Sequence, residues 1–188
     1  MSTIPSIQPA GVASIADGAW QLDPTQSSVE FHVRHFWGLI TVKGAFSAYE
    51  GTLDLGGTPA VELVIQADSL DTRHRKRDEH LRSADFLDVE TYPEIVFVST
   101  SVDELDDAQY RVTGDLTIKD VTHPVSVDFA LTGSAQDPWG NLRVGFEGAL
   151  AITRSDWGLT WNTPLDTGGV LVSDKITLEF EISAIKAA

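Results

Sequence analysis

The sequence predicts an all-β fold built from half-buried antiparallel strands. Apolar and polar residues alternate along most of the chain from Trp20 onward, and clusters of Gly, Pro, Asn or Asp bound the alternating runs. The clearest runs are 29–34, 61–67 and 176–182. In each run the apolar set falls on one face and the polar set on the other, with Val64 as the exception.

Further extended stretches account for most of the remaining chain. They cover 42–55, 94–102, 109–119, 125–135 and 142–153, and turn signals occur at 56–59, 106–107, 122–124, 137–141 and 166–169. Roughly eight strands joined by short turns indicate a sandwich or an up-and-down barrel, because both architectures limit exposed strand edges. The periodicity does not choose between the two.

One segment, 71–83, lacks the alternation and contains good helix formers, so we predict a helix there. We expect Asp71 or Thr72 to cap it. Leu81 is its one large apolar residue. The helix should therefore lie against the sheet, with Phe86 and Leu87 anchoring the chain that follows.

The length and composition predict one domain over residues 19–188, preceded by a flexible tail over residues 1–18. The chain has 188 residues, of which 42% are hydrophobic and 22% charged, which is ordinary for a globular domain. The absence of cysteine excludes disulfides and zinc–thiolate sites. Residues 1–18 contain neither Lys nor Arg and no long apolar run, so we expect a cytoplasmic protein without a transmembrane segment.

The charge balance makes nucleic acid an unexpected partner. The chain has 13 Lys and Arg residues against 28 Asp and Glu residues, for a formal net charge of -15. Four basic residues nevertheless lie close together, namely Arg73, Arg75, Lys76 and Arg77. They form either a solvated helix face or a cationic rim that attracts an anionic head group.

The histidines do not suggest a metal site. His74 and His80 are six positions apart and would lie on different helix faces, unlike the i, i+4 pair of zinc enzymes. His32 and His35 would point to opposite faces of a strand. The sequence also lacks a Gly-x-Ser-x-Gly elbow and a phosphate-binding glycine loop. We therefore predict no catalytic residue, no metal and no cofactor.

Aromatic residues are frequent at the predicted strand positions. They can fill a core, or they can line the interior of a closed barrel, which for about eight strands holds either packed side chains or one small ligand. Both interpretations remain open at this point. The residues are Phe31, Phe46, Phe97, Phe129, Phe146 and Phe180, with Trp157 and Trp161 nearby.

Several motifs together resemble the YceI family of polyisoprenoid-binding proteins. They are Val33-Arg34-His35-Phe36 and the segments 77–88, 92–97, 112–125 and 154–161, and the resemblance covers about residues 19–186. It implies an extended eight-stranded antiparallel lipocalin-like barrel, with one short helix beside it and an elongated apolar pore. It further implies that the protein stores or transports a polyisoprenoid lipid or an isoprenoid quinone without catalysis, and that it forms dimers.

The resemblance also implies which residues line the pore. Head-group contacts are expected from Arg34, His35 or Arg77 of the predicted helix. Apolar ligand contacts are expected from Phe31, Val33, Phe46, Phe97, Leu116, Phe129, Phe146, Trp157 and Trp161.

Two other functions remain open. In a barrel enzyme, His35 or Asp78 would transfer a proton on a hydrophobic substrate, and replacing that residue would abolish turnover while lipid binding survives. In a ligand-free structural or stress-response module, the barrel would be packed solid, and added lipid would not stabilise it.

Overall fold

The computed structural model describes residues 15–106 and 108–188. Its strands run antiparallel to their neighbours, and the single α-helix of the described residues, α1, covers Arg75–Arg82. The strands are β1 (Ala19–Leu22), β2 (Ser28–His35), β3 (Ile40–Phe46), β4 (Tyr49–Asp54), β5 (Ala60–Gln66), β6 (Leu70–Asp71), β7 (Glu94–Asp106), β8 (Gln109–Ile118), β9 (Val121–Gln136), β10 (Leu142–Thr153) and β11 (Val172–Lys186).

The strands close into a barrel. β11 pairs with β10 on one side, and with both β1 and β2 on the other. β1 pairs with β4 and β4 pairs with β5, while β2 pairs with β3 and β3 pairs with β6. β1 and β2 therefore share one place in the ring, β3 and β4 share the next, and β5 and β6 share the third. β7 to β11 complete an eight-stranded antiparallel barrel. The predicted fold class is confirmed.

The barrel is elongated because its later strands are long. β11 has 15 residues and β9 has 16. At a rise of about 3.3 Å per residue, a strand of this length extends over roughly 50 Å. Closure leaves β11 partnered on both edges over most of its length, which protects it from pairing with other chains.

One predicted turn is wrong. Residues 122–124 lie within β9, where Pro124 is opposite Asp115 of β8, and the hairpin turn falls at Lys119 and Asp120 instead. Lys119 adopts a left-handed backbone with φ of 58°, as a tight hairpin requires. β9 tolerates the proline because its pairing with β10 covers only Asp128–Gln136, so Pro124 lies where one edge of the strand is not engaged with β10.

The predicted helix is present, but its cap is different. The His74 side chain accepts a hydrogen bond from the Arg77 backbone N–H through Nδ1, at 3.3 Å. Asp71 instead accepts from the Arg73 backbone, and Thr72 donates to the buried carboxylate of Asp78. The expectation that Asp71 or Thr72 caps the helix is therefore wrong, because both side chains serve the turn that precedes it.

The predicted tail over residues 1–18 falls largely outside the described residues. Within the described part, the Gly18 carbonyl accepts a hydrogen bond from the Leu55 N–H, and the Ala16 carbonyl accepts one from the Trp20 indole. Ile15 packs near the buried Trp20. Residues 15–18 are thus attached to one end of the barrel.

Candidate functional site

A large cavity occupies the barrel interior. Its volume is about 810 Å³, which lies within the range of about 300–1,000 Å³ typical of small-molecule sites. Its wall is almost entirely apolar along the middle of the barrel, where inward-facing residues alternate with outward-facing ones. Side chains therefore do not fill this barrel, and the space left is large enough for an apolar ligand.

Most of the predicted apolar contacts line this cavity. The residues that do so are Phe31, Val33, Phe46, Phe97, Leu116, Phe129, Phe146 and Trp161. Whether they contact a ligand stays a prediction.

Trp157 has a different environment. It is buried at 4% exposure, and its indole N–H donates to the Leu116 carbonyl at 3.0 Å. Its ring packs edge-on against His123. The side chain therefore belongs to the packed core around Leu116 and is not among the residues that line the cavity.

The predicted polar contacts separate into two groups. His35 and Arg77 line the cavity, at the end of the barrel where α1 lies. Arg34 is exposed, and its side chain lies beside Gly38 in the loop after β2. The structure thus brings His35 and Arg77 together and leaves Arg34 on the outer face.

Positive charge is concentrated at this end, which we call the basic end and define by the cavity-lining residues His35, Lys76, Arg77 and Arg154. Burial lowers the pKa of His35, and the charges of Arg77 and Arg154 lower it further. These surroundings therefore disfavour the charged form of His35, and its neutral ring can donate or accept a hydrogen bond. Such an end suits a ligand group that accepts hydrogen bonds or carries negative charge.

Arg154 is the main polar residue that the sequence reasoning missed. Only 3% of the residue is exposed, and its guanidinium donates to the carbonyls of Ser173, Leu159 and Trp161. Because its hydrogen-bond acceptors are neutral carbonyls and not a carboxylate, these contacts do not neutralise the positive charge of Arg154. The position of Arg154 directly after the apolar strand β10 was the available signal, because charged residues are rarely buried without a role.

Aromatic rings pack around α1 at the same end. His80 lies edge-on to Trp161 at a centroid distance of 4.5 Å and to Phe86 at 5.2 Å, and its Nε2 lies 2.8 Å from the Asp85 carboxylate. Leu81, Phe86 and Leu87 all line the cavity, so the predictions that the helix lies against the sheet and that Phe86 and Leu87 anchor the chain after it are confirmed. The helix therefore forms part of the cavity wall.

The opposite end differs in charge. We call it the acidic end and define it by Asp17 and Glu104, which line the cavity there. Tyr110 also lies at this end, where burial and the charge of Glu104 raise the pKa of its hydroxyl. The cavity thus has an apolar middle between two ends of opposite charge.

A second cluster lies on the outer wall and was not predicted. Potential ligand atoms of Glu30, His32 and Glu179 all lie within 4.8 Å of one another, and His32 Nε2 is 3.4 Å from Glu179. Sequence spacing could not indicate this grouping, because Glu179 joins it only through the β2–β11 register. As predicted, His32 and His35 lie on opposite faces, and they do not form a pair.

A closed eight-stranded antiparallel barrel around an apolar cavity is the architecture of the lipocalin-like class of proteins. Residues 20–184 match the model of the YceI-like domain. The chain belongs to the YceI-like family.

Its relatives include proteins of similar length. It is 40% identical over 158 residues to protein YceI of Escherichia coli O157:H7, covering 80% of each chain. It is 35% identical over 164 residues to a UPF0312 protein of Pectobacterium atrosepticum, covering 85% of this chain and 84% of the relative.

Solved structures share the fold. BcnA of Burkholderia cenocepacia superposes with a TM-score of 0.75 at 23% identity, over 86% of this chain and 98% of the other. The YceI protein of Campylobacter jejuni gives 0.71 at 27% identity, over 80% and 88%. A polyisoprenoid-binding domain from Saccharophagus degradans gives 0.72 at 15% identity, over 91% and 100%. In the described part of the chain, no helix is long and apolar enough to span a membrane.

Proposed function

We propose that this protein binds a long-chain polyisoprenoid lipid or isoprenoid quinone in its barrel and stores or carries it without chemical change. The observation that supports the proposal most directly is the cavity of about 810 Å³ with an apolar wall. Family membership and the likeness to a polyisoprenoid-binding domain point to the same ligand class.

The energetics of such binding follow from the apolar wall. Each methylene transferred from water into the cavity gains about 0.8 kcal/mol, so a chain of several isoprene units supplies a large driving force before ordering costs are subtracted. Few polar contacts are needed. Affinity should therefore rise with the number of isoprene units until the chain fills the cavity.

The charges at the two ends of the cavity favour one orientation of the ligand, with its polar group at the basic end. His35 and Arg77 at the basic end provide hydrogen-bond donors for a quinone oxygen or a phosphate, and Arg154 adds a buried positive charge. The apolar tail would then extend along the phenylalanines toward the acidic end. This orientation places the polar group where its hydrogen bonds are satisfied and keeps the tail away from water.

The test is mass spectrometry of organic extracts of the natively purified protein and of matched variants. Phe97→Arg places a charge in the cavity, whereas Val98→Arg places the same charge on the neighbouring, 46% exposed outer position of β7. Leu63→Trp fills the cavity without adding charge, and it keeps the test informative should Phe97→Arg fail to fold.

A polyprenyl lipid or quinone near stoichiometric amount in the wild type and in Val98→Arg, and its loss in Phe97→Arg and Leu63→Trp, would support the proposal. Absence of lipid from every preparation, together with no thermal stabilisation when a quinone is added, would contradict it and favour the enzyme or the ligand-free module.

A further inference from the structure

Exposed apolar side chains are concentrated at the basic end of the barrel. Of the eight large apolar residues exposed within the described part of the chain, five are Phe36, Trp37, Leu39, Ile40 and Val170. Leu39 is 82% and Trp37 is 62% exposed. Exposing a contiguous apolar patch of this kind to water is unfavourable, and such patches are typical of interaction sites.

Four of these residues lie in two neighbouring loops, and Ile40 is the first residue of β3 next to one of them. The Phe36 backbone N–H donates to the Leu171 carbonyl at 3.1 Å. A methyl group at Gly169 would lie 2.9 Å from the Trp37 indole nitrogen. We call the surface formed by residues 36–40 and 169–171 the apolar rim.

The apolar rim adjoins the cavity. Phe36 and Leu171 line the cavity, and Phe36 is at the same time 37% exposed. Phe36 directly follows His35, which lies close enough to Arg77 on α1 for the charge of Arg77 to lower the pKa of His35. The apolar rim and the apolar wall of the cavity are therefore continuous at Phe36 and Leu171.

Basic side chains flank the apolar rim. Arg34 lies beside Gly38, and Arg73, Arg75 and Lys76 are exposed next to the cavity-lining Arg77. Arg75 is partly neutralised by Glu79 at 2.9 Å. In a chain of net charge -15, this is a local reversal of sign, whereas Asp17 and Glu104 make the other end acidic.

We propose that the apolar rim and its basic flank dock the barrel on an anionic lipid bilayer, with the basic end of the cavity facing the membrane. The proposal rests on the proposed function, since the cavity ligand would enter from the bilayer. Trp37 and Leu39 insert among the lipids, while Lys76 and its basic neighbours contact the negatively charged head groups. The opposite end of the cavity carries Asp17 and Glu104 and would be repelled by an anionic bilayer, so the basic end approaches it.

Charge complementarity favours a bilayer over a second copy of the chain. A symmetric dimer through this surface would bring Arg73, Arg75 and Lys76 of one copy toward the same residues of the other. Like charges at such an interface oppose association. An anionic bilayer satisfies the apolar and the basic parts of the surface together.

The experiment is flotation of the full chain with phosphatidylcholine vesicles, with and without phosphatidylglycerol, at low and high salt. The first variant is Trp37→Asn combined with Leu39→Ser, in which Asn tolerates the left-handed backbone of position 37, at φ of 55°. The second is Lys76→Glu. Trp139→Ser is the apolar control, because Trp139 is 80% exposed in the β9–β10 turn at the acidic end. Lys43→Glu on the exposed wall of β3 is the charge control.

We expect binding to require phosphatidylglycerol and to weaken with salt. Each rim or flank variant should lower the partition coefficient by about tenfold or more, and the controls should leave it within about twofold. Binding of a polyprenyl quinone delivered from detergent should persist in Trp37→Asn/Leu39→Ser, because neither residue lines the cavity. That last measurement separates failure of docking from failure of the proposed function.

Three results would overturn the proposal. The wild type could fail to float with anionic vesicles, or the variants and controls could float equally. Alternatively, sedimentation equilibrium could show a wild-type dimer that Trp37→Asn/Leu39→Ser converts to a monomer, in which case a second copy covers the apolar rim.

Discussion

The phenyl ring of Phe31 lies over Gly44 of the neighbouring strand, so closely that a methyl group on Gly44 would come within 2.3 Å of the ring. The two residues are paired directly in the β2–β3 register. Phe129 lies over Gly148 in the same way, and the added methyl group there would come within 2.7 Å. These rings therefore rest against the barrel wall, and the glycines leave the space in the centre free.

This relationship predicts that Gly44→Ala narrows the cavity. The new methyl group would force Phe31 inward, and overpacking of this kind costs about 1–3 kcal/mol of the free energy of unfolding. Affinity for a polyprenyl quinone should fall at the same time. Urea denaturation and a binding titration measure the two effects. Gly133→Ala is the control, because nothing lies within 4 Å of a methyl group there. If Gly44→Ala and Gly133→Ala had the same stability and the same affinity for the quinone, the position of Phe31 would not depend on the absence of a side chain at Gly44.

The strands could be predicted from sequence because alternation reports directly which residues face the interior. Phe31, Val33 and His35 face inward while Glu30 and His32 face outward, as the period of two requires. Closure could not be predicted from alternation, since a sandwich has the same period. It depends on β11 pairing with β1 and β2, and long-range register leaves no local signal.

The errors in sequence interpretation also have local physical causes. Pro124 indicated a turn, but a strand edge that is not engaged with β10 accepts proline. His74 caps α1 although His is not a preferred capping residue. The burial of Arg154 could be suspected only from its position after an apolar strand, because the segments 159–161 and 172–173 that enclose it meet it only in the fold.

Replacing Arg154 should destabilise the basic end of the barrel. Arg154→Met leaves the carbonyls of Leu159, Trp161 and Ser173 without their shared donor. Buried carbonyls without partners cost about 1–3 kcal/mol each, partly offset by removing a buried charge, so we expect a loss of about 2–4 kcal/mol. Urea denaturation measures it. Arg111→Met on the exposed outer wall is the control, and a similar loss there would refute the role assigned to burial.

The turn at the acidic end should depend on Asp137 in a pH-dependent way. Burial alone would raise the pKa of Asp137, but hydrogen bonds from Arg143, Asn141 and Trp139 lower it far below its usual range. A lowered folded-state pKa stabilises the fold above the unfolded value of about 3.8, and this stabilisation is lost as the pH falls below that value.

Asp137→Asn should therefore lower the Tm at neutral pH and change it much less near pH 2, where the unfolded wild-type carboxyl is already protonated. Differential scanning calorimetry at the two pH values measures the difference. A constant Tm difference between wild type and variant across this range would mean that the ionised carboxylate is not the stabilising group.

The stability of the fold should depend on pH through His35, because its surroundings in the cavity disfavour its charged form. Burial and the charges of Arg77 and Arg154 lower its pKa, while in the unfolded chain it titrates near its ordinary value of 6.5. Between the lowered value and 6.5 the unfolded state binds more protons than the folded state, so stability falls as the pH decreases through this window.

His35→Gln removes this contribution and keeps a polar side chain of similar size. Urea denaturation at about pH 7.5 and about pH 5 should show a smaller loss of stability for His35→Gln than for the wild type. His32→Gln serves as the control, since His32 lies on the outer wall of the barrel beside Glu179, away from the cavity. A loss in His35→Gln that equals the wild-type loss would show that His35 does not resist protonation in the fold.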